Sequence, residues 1–112
     1  MGRKGFIGEF EQVVLLAALQ LKGRAHAPAI SRMLEEDAGR PVSRGALYST
    51  LDRLERKGLL EWRIEARSGD GDGQPKRQFS VTDDGIEALR ASREMLLGLW
   101  EGLEGVLEGP SS

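Results

Sequence analysis

The stretch that most restricts the fold runs from Ser43 to Leu60, SRGALYSTLDRLERKGLL. Leu47, Leu51 and Leu54 recur at i, i+4 and i+7, which puts them on one face of a helix. Ser43 is a good N-cap and Gly58 a natural stop. Immediately afterwards the period changes. In LLEWRIEA, Leu60, Trp62 and Ile64 alternate with Glu61, Arg63 and Glu65, the period-2 signal of a half-buried strand. A helix running straight into a strand leaves room for few arrangements. The back of that helix carries Gly45, Ser49, Asp52 and Arg56, with Arg44, Tyr48, Thr50, Arg53 and Lys57 on its flanks. A helix made only for packing has no use for so small and polar a back. A helix that enters a groove does.

Upstream, FEQVVLLAALQL (10–21) is apolar almost all round and predicts a helix buried on most sides. VVLL alone also reads as a strand, but the run is long and Ala-rich, which favours helix. Lys22-Gly23 ends it. In HAPAISRMLEEDAG, Pro28 suits a first helical turn, Ile30, Met33, Leu34 and Ala38 form one stripe, and Gly39 stops it. Downstream, 68–75 (SGDGDGQP) is a turn-rich loop, and KRQFSVT holds Phe79 and Val81 in phase as a second short strand. Thr82-Asp83-Asp84 opens a last helix, which is expected to run on through Leu96, Trp100, Leu103 and Leu107. Its apolar residues exceed what one hairpin can bury.

The order helix, helix, helix, strand, strand, helix predicts an α+β, mostly helical chain: a winged helix-turn-helix of three helices and a two-stranded wing over residues 1–81, then a dimerisation helix over 82–112. With 112 residues, 39% hydrophobic and only 5% aromatic, the core is aliphatic and small, so part of the apolar surface is expected to lie between two copies. The net charge of −2 argues against a nucleic-acid partner, but its distribution does not. Residues 22–81 carry 12 Lys/Arg against 9 Asp/Glu, and residues 82–112 carry 2 against 7.

Recognition helices read bases mainly with their first turns. Ser43, Arg44, Gly45, Tyr48 and Ser49 occupy those turns. Gly45 and Ser49 permit close approach, Arg44 suits guanine or phosphate, Tyr48 and Ser49 suit phosphate oxygens, and Arg53 flanks them. The plainer alternative is a solvated amphipathic face with Tyr48 packed on a neighbouring helix. At the wing, Lys76 and Arg77 are candidates for phosphates and Gln74 for the minor groove, with Arg67 a weaker one. The alternative there is an ordinary polar loop. Asp70, Asp72 and Gln74 hint at a calcium loop, but the required Gly and Glu positions hold Pro75 and Val81.

No metal or cofactor is expected. His26 is the sole histidine and is expected to pack at a helix start, cysteine is absent, and no nucleophile–base pair or phosphate-binding glycine loop is present, so enzymatic activity has little support. The lack of cysteine fits a reducing compartment, and no apolar run suits a signal peptide or a membrane span, so a cytoplasmic location is expected.

The segments SRGALYSTLDRLERKGLL and GQPKRQFSVTDDG together closely resemble the PadR family of bacterial transcriptional regulators, and VVLLAALQLKGRAHAPAI is similar to that family's first helix and following turn. The resemblance covers about residues 10–105. It implies a homodimer on double-stranded, pseudo-palindromic operator DNA, mostly as a repressor that releases when a small aromatic or hydrophobic effector binds. It also implies the smaller of the family's two size classes, with a short C-terminal helix. Two features depart from the family pattern. Ala27-Pro28-Ala29 replaces a common Gly-Tyr-Glu, and the wing has Gln74 and Gln78-Phe79 in place of a second basic residue and paired tyrosines. Fewer wing charges imply weaker or less salt-sensitive phosphate contact.

Trp100, with Leu96 and Leu103, reads either as dimer packing or as the wall of an effector cavity where a tryptophan stacks on a flat ligand, as in some relatives the chain resembles. Two other classes stay open: a winged helix that binds a protein partner without DNA, and a regulator of another winged-helix family.

Overall fold

The computed structural model describes residues 7–65 and 75–109. Three helices, α1 (Glu9–Gln20), α2 (Ala27–Glu36) and α3 (Arg44–Arg56), are followed by strands β1 (Leu60–Glu65) and β2 (Lys76–Val81), helix α4 (Asp83–Trp100) and a short 3-10 helix (Glu104–Glu108). This is the expected winged helix-turn-helix with a trailing helix. The turn-rich loop with Gln74, Arg67, Asp70 and Asp72 falls outside the described residues.

Local chemistry sets the helix ends. The His26 ring accepts the Ala29 amide at α2, with Pro28 in the first turn, so His26 does pack at a helix start. The Ser43 hydroxyl accepts the Ala46 amide at 3.1 Å at α3. At the other end of α3, Gly58 adopts φ +78, and the Leu59 amide reaches the Leu54 carbonyl at 3.0 Å while the Gly58 amide reaches Glu55 at 2.9 Å. These paired bonds close the last turn, which needs a residue free to take positive φ.

Leu47, Leu51 and Leu54 are buried against Val14, Leu15, Ile30 and Leu34. Burying each of these side chains contributes about 1.5–3 kcal/mol. As expected, α1 is buried around most of its circumference. Val14, Leu15, Ala17 and Ala18 are buried, but Leu16 and Leu19 are 49% and 39% exposed. The exposed residues, Glu9, Leu16, Leu19 and Gln20, form one narrow strip along α1.

The antiparallel hairpin runs in register from Leu60 opposite Val81 to Glu65 opposite Lys76. Here the sequence expectation of a half-buried β1 needs correction. Only Leu60 is buried, and Trp62 and Ile64 are 37% and 56% exposed. The hairpin touches the helices at its base and along β2, where the Phe79 amide donates to the Ala25 carbonyl at 2.9 Å. Phe79 is buried, and so is Gln78, one position out of phase.

The expected long last helix is broken. α4 stops at Trp100, Gly102 takes φ +86, the Leu103 amide turns back to the Trp100 carbonyl, and the 3-10 helix follows. Glycines at 98, 102 and 105 make this segment a poor helix former. Of α4, only Gly85, Ala88 and Ser92 are buried.

α4 is latched to the end of α3. The Thr82 hydroxyl accepts the Gly85 amide and donates to the Gly58 carbonyl at 2.7 Å, and the Thr82 amide reaches the Leu59 carbonyl. Gly85 lies so close to this joint that a Cβ there would stand 2.3 Å from the Leu59 carbonyl oxygen and 2.7 Å from Val81 Cγ1. The oxygen belongs to the backbone and is held by the Thr82 amide at 3.1 Å, so it does not step aside as a flexible side chain would. Gly85→Ala is therefore expected to destabilise the fold by about 2–4 kcal/mol despite alanine's better helix propensity, measured as a lower denaturant midpoint. An unchanged midpoint would mean the joint yields.

Candidate nucleic-acid interface

With its leucines inward, α3 turns Ser43, Arg44, Gly45, Ser49, Asp52 and Arg56 to solvent. Gly45 carries information. Its φ is not positive, and a Cβ placed on it meets nothing within 4 Å. Neither conformation nor packing inside the chain calls for glycine here, although glycine in a helix costs up to about 1 kcal/mol relative to alanine.

Tyr48 is half-buried on the flank of α3 and lies between two grooves. One, of about 410 Å³, runs between α2 and α3 past Ser31, Arg32, Glu35 and Arg44. The other, of about 180 Å³, is walled by His26, Pro28, Lys76, Arg77 and Phe79. The first turns of α3 and the start of β2 thus share a frontage, with Arg44 on one side of Tyr48 and Lys76 and Arg77 on the other. Arg77 lies over aromatic rings, 5.9 Å from the centre of Tyr48 and 4.9 Å from that of Trp62. Gln74 falls outside the described residues.

Arg53 is placed differently from the other candidates. Its Nε donates to the Glu11 carboxylate at 3.0 Å and its Nη2 to the Thr50 hydroxyl at 3.3 Å. Lys57 Nζ joins the same carboxylate at 2.9 Å, and the Gly8 amide donates to it at 2.9 Å. Glu11 is 5% exposed and accepts from three groups, the Gly8 amide, Arg53 Nε and Lys57 Nζ, the last reaching both carboxylate oxygens. Burial pushes its pKa up, but the hydrogen bond and charge of Lys57, the Gly8 amide and Arg53 outweigh burial and hold it below the ordinary 4.5. Nothing in the sequence singled out Glu11. It sits inside an apolar run, and its two charged partners, Arg53 and Lys57, are more than forty positions away.

Leu96, Trp100 and Leu103 are 44%, 38% and 47% exposed, and Met95 and Leu99 beside them are exposed too. Both grooves lie away from them, at the α3 front. Among the described residues no group of three or more His, Asp or Glu side chains could hold a metal ion, and no helix is long and apolar enough to cross a membrane.

A capped helix with a free polar front, a hairpin beside it and a trailing helix define a winged helix-turn-helix regulator. Comparison with known proteins names the group. The model of the transcriptional regulator PadR-like family matches residues 15–91, more than half of the chain, and the chain belongs to that family. The family consists of DNA-binding transcriptional regulators, not enzymes. Solved structures agree. A PadR-like transcription factor from Bacteroides fragilis is 28% identical, with 93% of this chain and 92% of that one covered and a TM-score of 0.69. A PadR family regulator from Eggerthella lenta is 29% identical over 90% and 88%, with a TM-score of 0.65. RosR of H. salinarum is 27% identical over 91% of each chain, with a TM-score of 0.64. No curated protein matches in the corresponding sequence comparison.

The Glu11 cluster sets a pH dependence. A carboxylate whose pKa is lower folded than unfolded stabilises the fold fully above the unfolded value. Its contribution is lost as pH falls from about 4.5 through the lower folded value. Glu11→Gln is expected to cost about 1–2 kcal/mol at pH 7, because Arg53 and Lys57 are each close to half exposed and recover hydration. Denaturation at pH 7 and pH 3 should show a smaller acid loss in the variant than in the wild type. Equal losses would exclude this role for Glu11.

Proposed function

We propose that the chain is a sequence-specific, homodimeric repressor that places α3 in the major groove of operator DNA and acts in the cytoplasm. The observation that carries this reading is Gly45, a solvent-facing helical glycine without a use inside the fold, set between Arg44 and Ser49. Close approach by another molecule is what such a glycine permits. A major groove about 12 Å wide admits a helix whose leading turns are this small. Ser43, Arg44, Gly45, Tyr48 and Ser49 would meet bases and phosphates. Lys76 and Gln74 would meet the flanking backbone and minor groove. Arg53, committed to Glu11, would act at most on a neighbouring phosphate.

Residues 82–112 would serve as the dimerisation element. The exposed Leu96, Leu99, Trp100 and Leu103, with Leu16 and Leu19 on α1, offer the apolar area a second copy would cover. A two-fold axis would then set the two α3 helices roughly 34 Å apart on a pseudo-palindromic site. Trp100 in that interface would be available to stack on a flat hydrophobic effector, and release of DNA would follow if the effector favoured another spacing of the helices.

In a gel shift with the chain's own promoter region, the double change Arg44→Ala, Tyr48→Ala is expected to abolish binding while sedimentation still shows a dimer. Wild-type affinity should fall steeply with salt, in proportion to the phosphates neutralised. Binding that ignores salt, or none, would favour a protein partner. Gly45→Ala separates fold from docking. It should stabilise the free protein by about 0.5 kcal/mol and still weaken DNA binding. Leu99→Glu should yield monomers; an intact dimer would move the interface away from α4.

A further inference from the structure

The alternation of β2 puts Arg77 and Phe79 on the same face of the hairpin, and the register of Trp62 opposite Phe79 puts Trp62 diagonal to Arg77 on that face. The Arg77 guanidinium carbon lies 4.9 Å from the centre of the Trp62 ring, 5.4 Å from that of Phe79 and 5.9 Å from that of Tyr48. All three distances are within the reach of about 6 Å at which a cation is attracted to a ring face. Two of the rings belong to the hairpin and the third to α3. β1 beyond Leu60 is exposed, so the core does not hold the hairpin against the front of α3 at this level. The Arg77 side chain spans that gap. Guanidinium is planar and weakly hydrated, which suits it to lie against rings.

We propose that Arg77 is a positioning residue: through Trp62, Phe79 and Tyr48 it fastens the wing to the recognition helix and so sets the spacing between the two elements that DNA meets, in place of the phosphate contact its position in the sequence implies. The proposal rests on the DNA-binding reading above. It assigns Trp62 a purpose as well, since an exposed tryptophan on the wing is the ring nearest the cation.

The test uses a duplex selected from random sequence by the wild-type dimer, with affinity measured over a range of salt for wild type and Arg77→Met. Acrylamide quenching of Trp62 is measured in parallel on the free protein carrying Trp100→Phe, with and without Arg77→Met. Loss of the tie is expected to weaken binding about tenfold at every salt concentration. The log–log salt slope should stay as in the wild type, and Trp62 should become more accessible to acrylamide. A slope reduced by about one phosphate's worth, roughly 0.9, with Trp62 unchanged, would make Arg77 a phosphate contact and overturn the proposal. Unchanged affinity would also overturn it. Arg77→Lys, which keeps the charge without the plane, guards against a variant that fails to fold. It should bind more weakly with the slope retained, and full affinity in this variant would show that charge alone suffices. If the wild type enriches no duplex, the DNA-binding reading itself falls, an outcome distinct from normal wild-type binding with an indifferent Arg77→Met.

Discussion

Everything in this small protein follows from the way α3 is anchored on one side only. Leu47, Leu51 and Leu54 are almost wholly buried, and they take up the one face the chain has to pack α3 upon. Once they are inward, helical geometry sends Arg44, Gly45, Ser49 and Asp52 outward without further instruction. The leucines therefore carry no specificity and yet decide which residues can. At the C-terminal end the anchoring is polar. Glu11 gathers Arg53 and Lys57 from the last turns of α3, and the cap at Gly58 hands its carbonyl to Thr82. The N-terminal turns have no such tie beyond the Ser43 cap and Tyr48, which leaves them free for a visitor.

That split between a fixed end and an offered end suits a reader of DNA. Rigid elements present contacts more accurately than loops do, and the first turns of α3 are rigid through their leucines while their polar front stays open. The hairpin is held less firmly. Its base is in the core through Leu60 and Phe79, but β1 runs out into solvent. The aromatic contacts of Arg77 fall at this less supported level.

Features carried by local chemistry were legible in the sequence. The caps at Ser43 and Thr82, the stops at Gly39 and Gly58, the leucine stripe and the order of elements follow from residues a few positions apart, and the structure has them. Features that depend on distant partners were not. An alternating strand reads the same whether or not a surface waits to cover it, so Trp62 and Ile64 gave no sign that they would stay exposed. Apolar periodicity after Trp100 continued through Leu103 and Leu107 and outweighed the glycines that end the helix. Arg53 looked like a flank residue available for docking because Glu11 is far away in the chain. Of the candidate interface, the front of α3 could be read from a helical wheel, whereas the placement of Arg77 among three rings needed the fold.

The joint at Thr82 has a mechanical consequence. One hydroxyl caps α4 and holds the carbonyl of Gly58, the residue whose amide closes α3, so the two helices share a joint. α3 has 13 residues, and at 1.5 Å per residue it is about 20 Å long. A swing of about 5° at its pinned end displaces Arg44 at the far end by roughly 1.7 Å, more than a hydrogen bond tolerates. The joint to the 18-residue α4 thus lies at the end of α3 opposite Arg44, where the lever arm to the tip is longest.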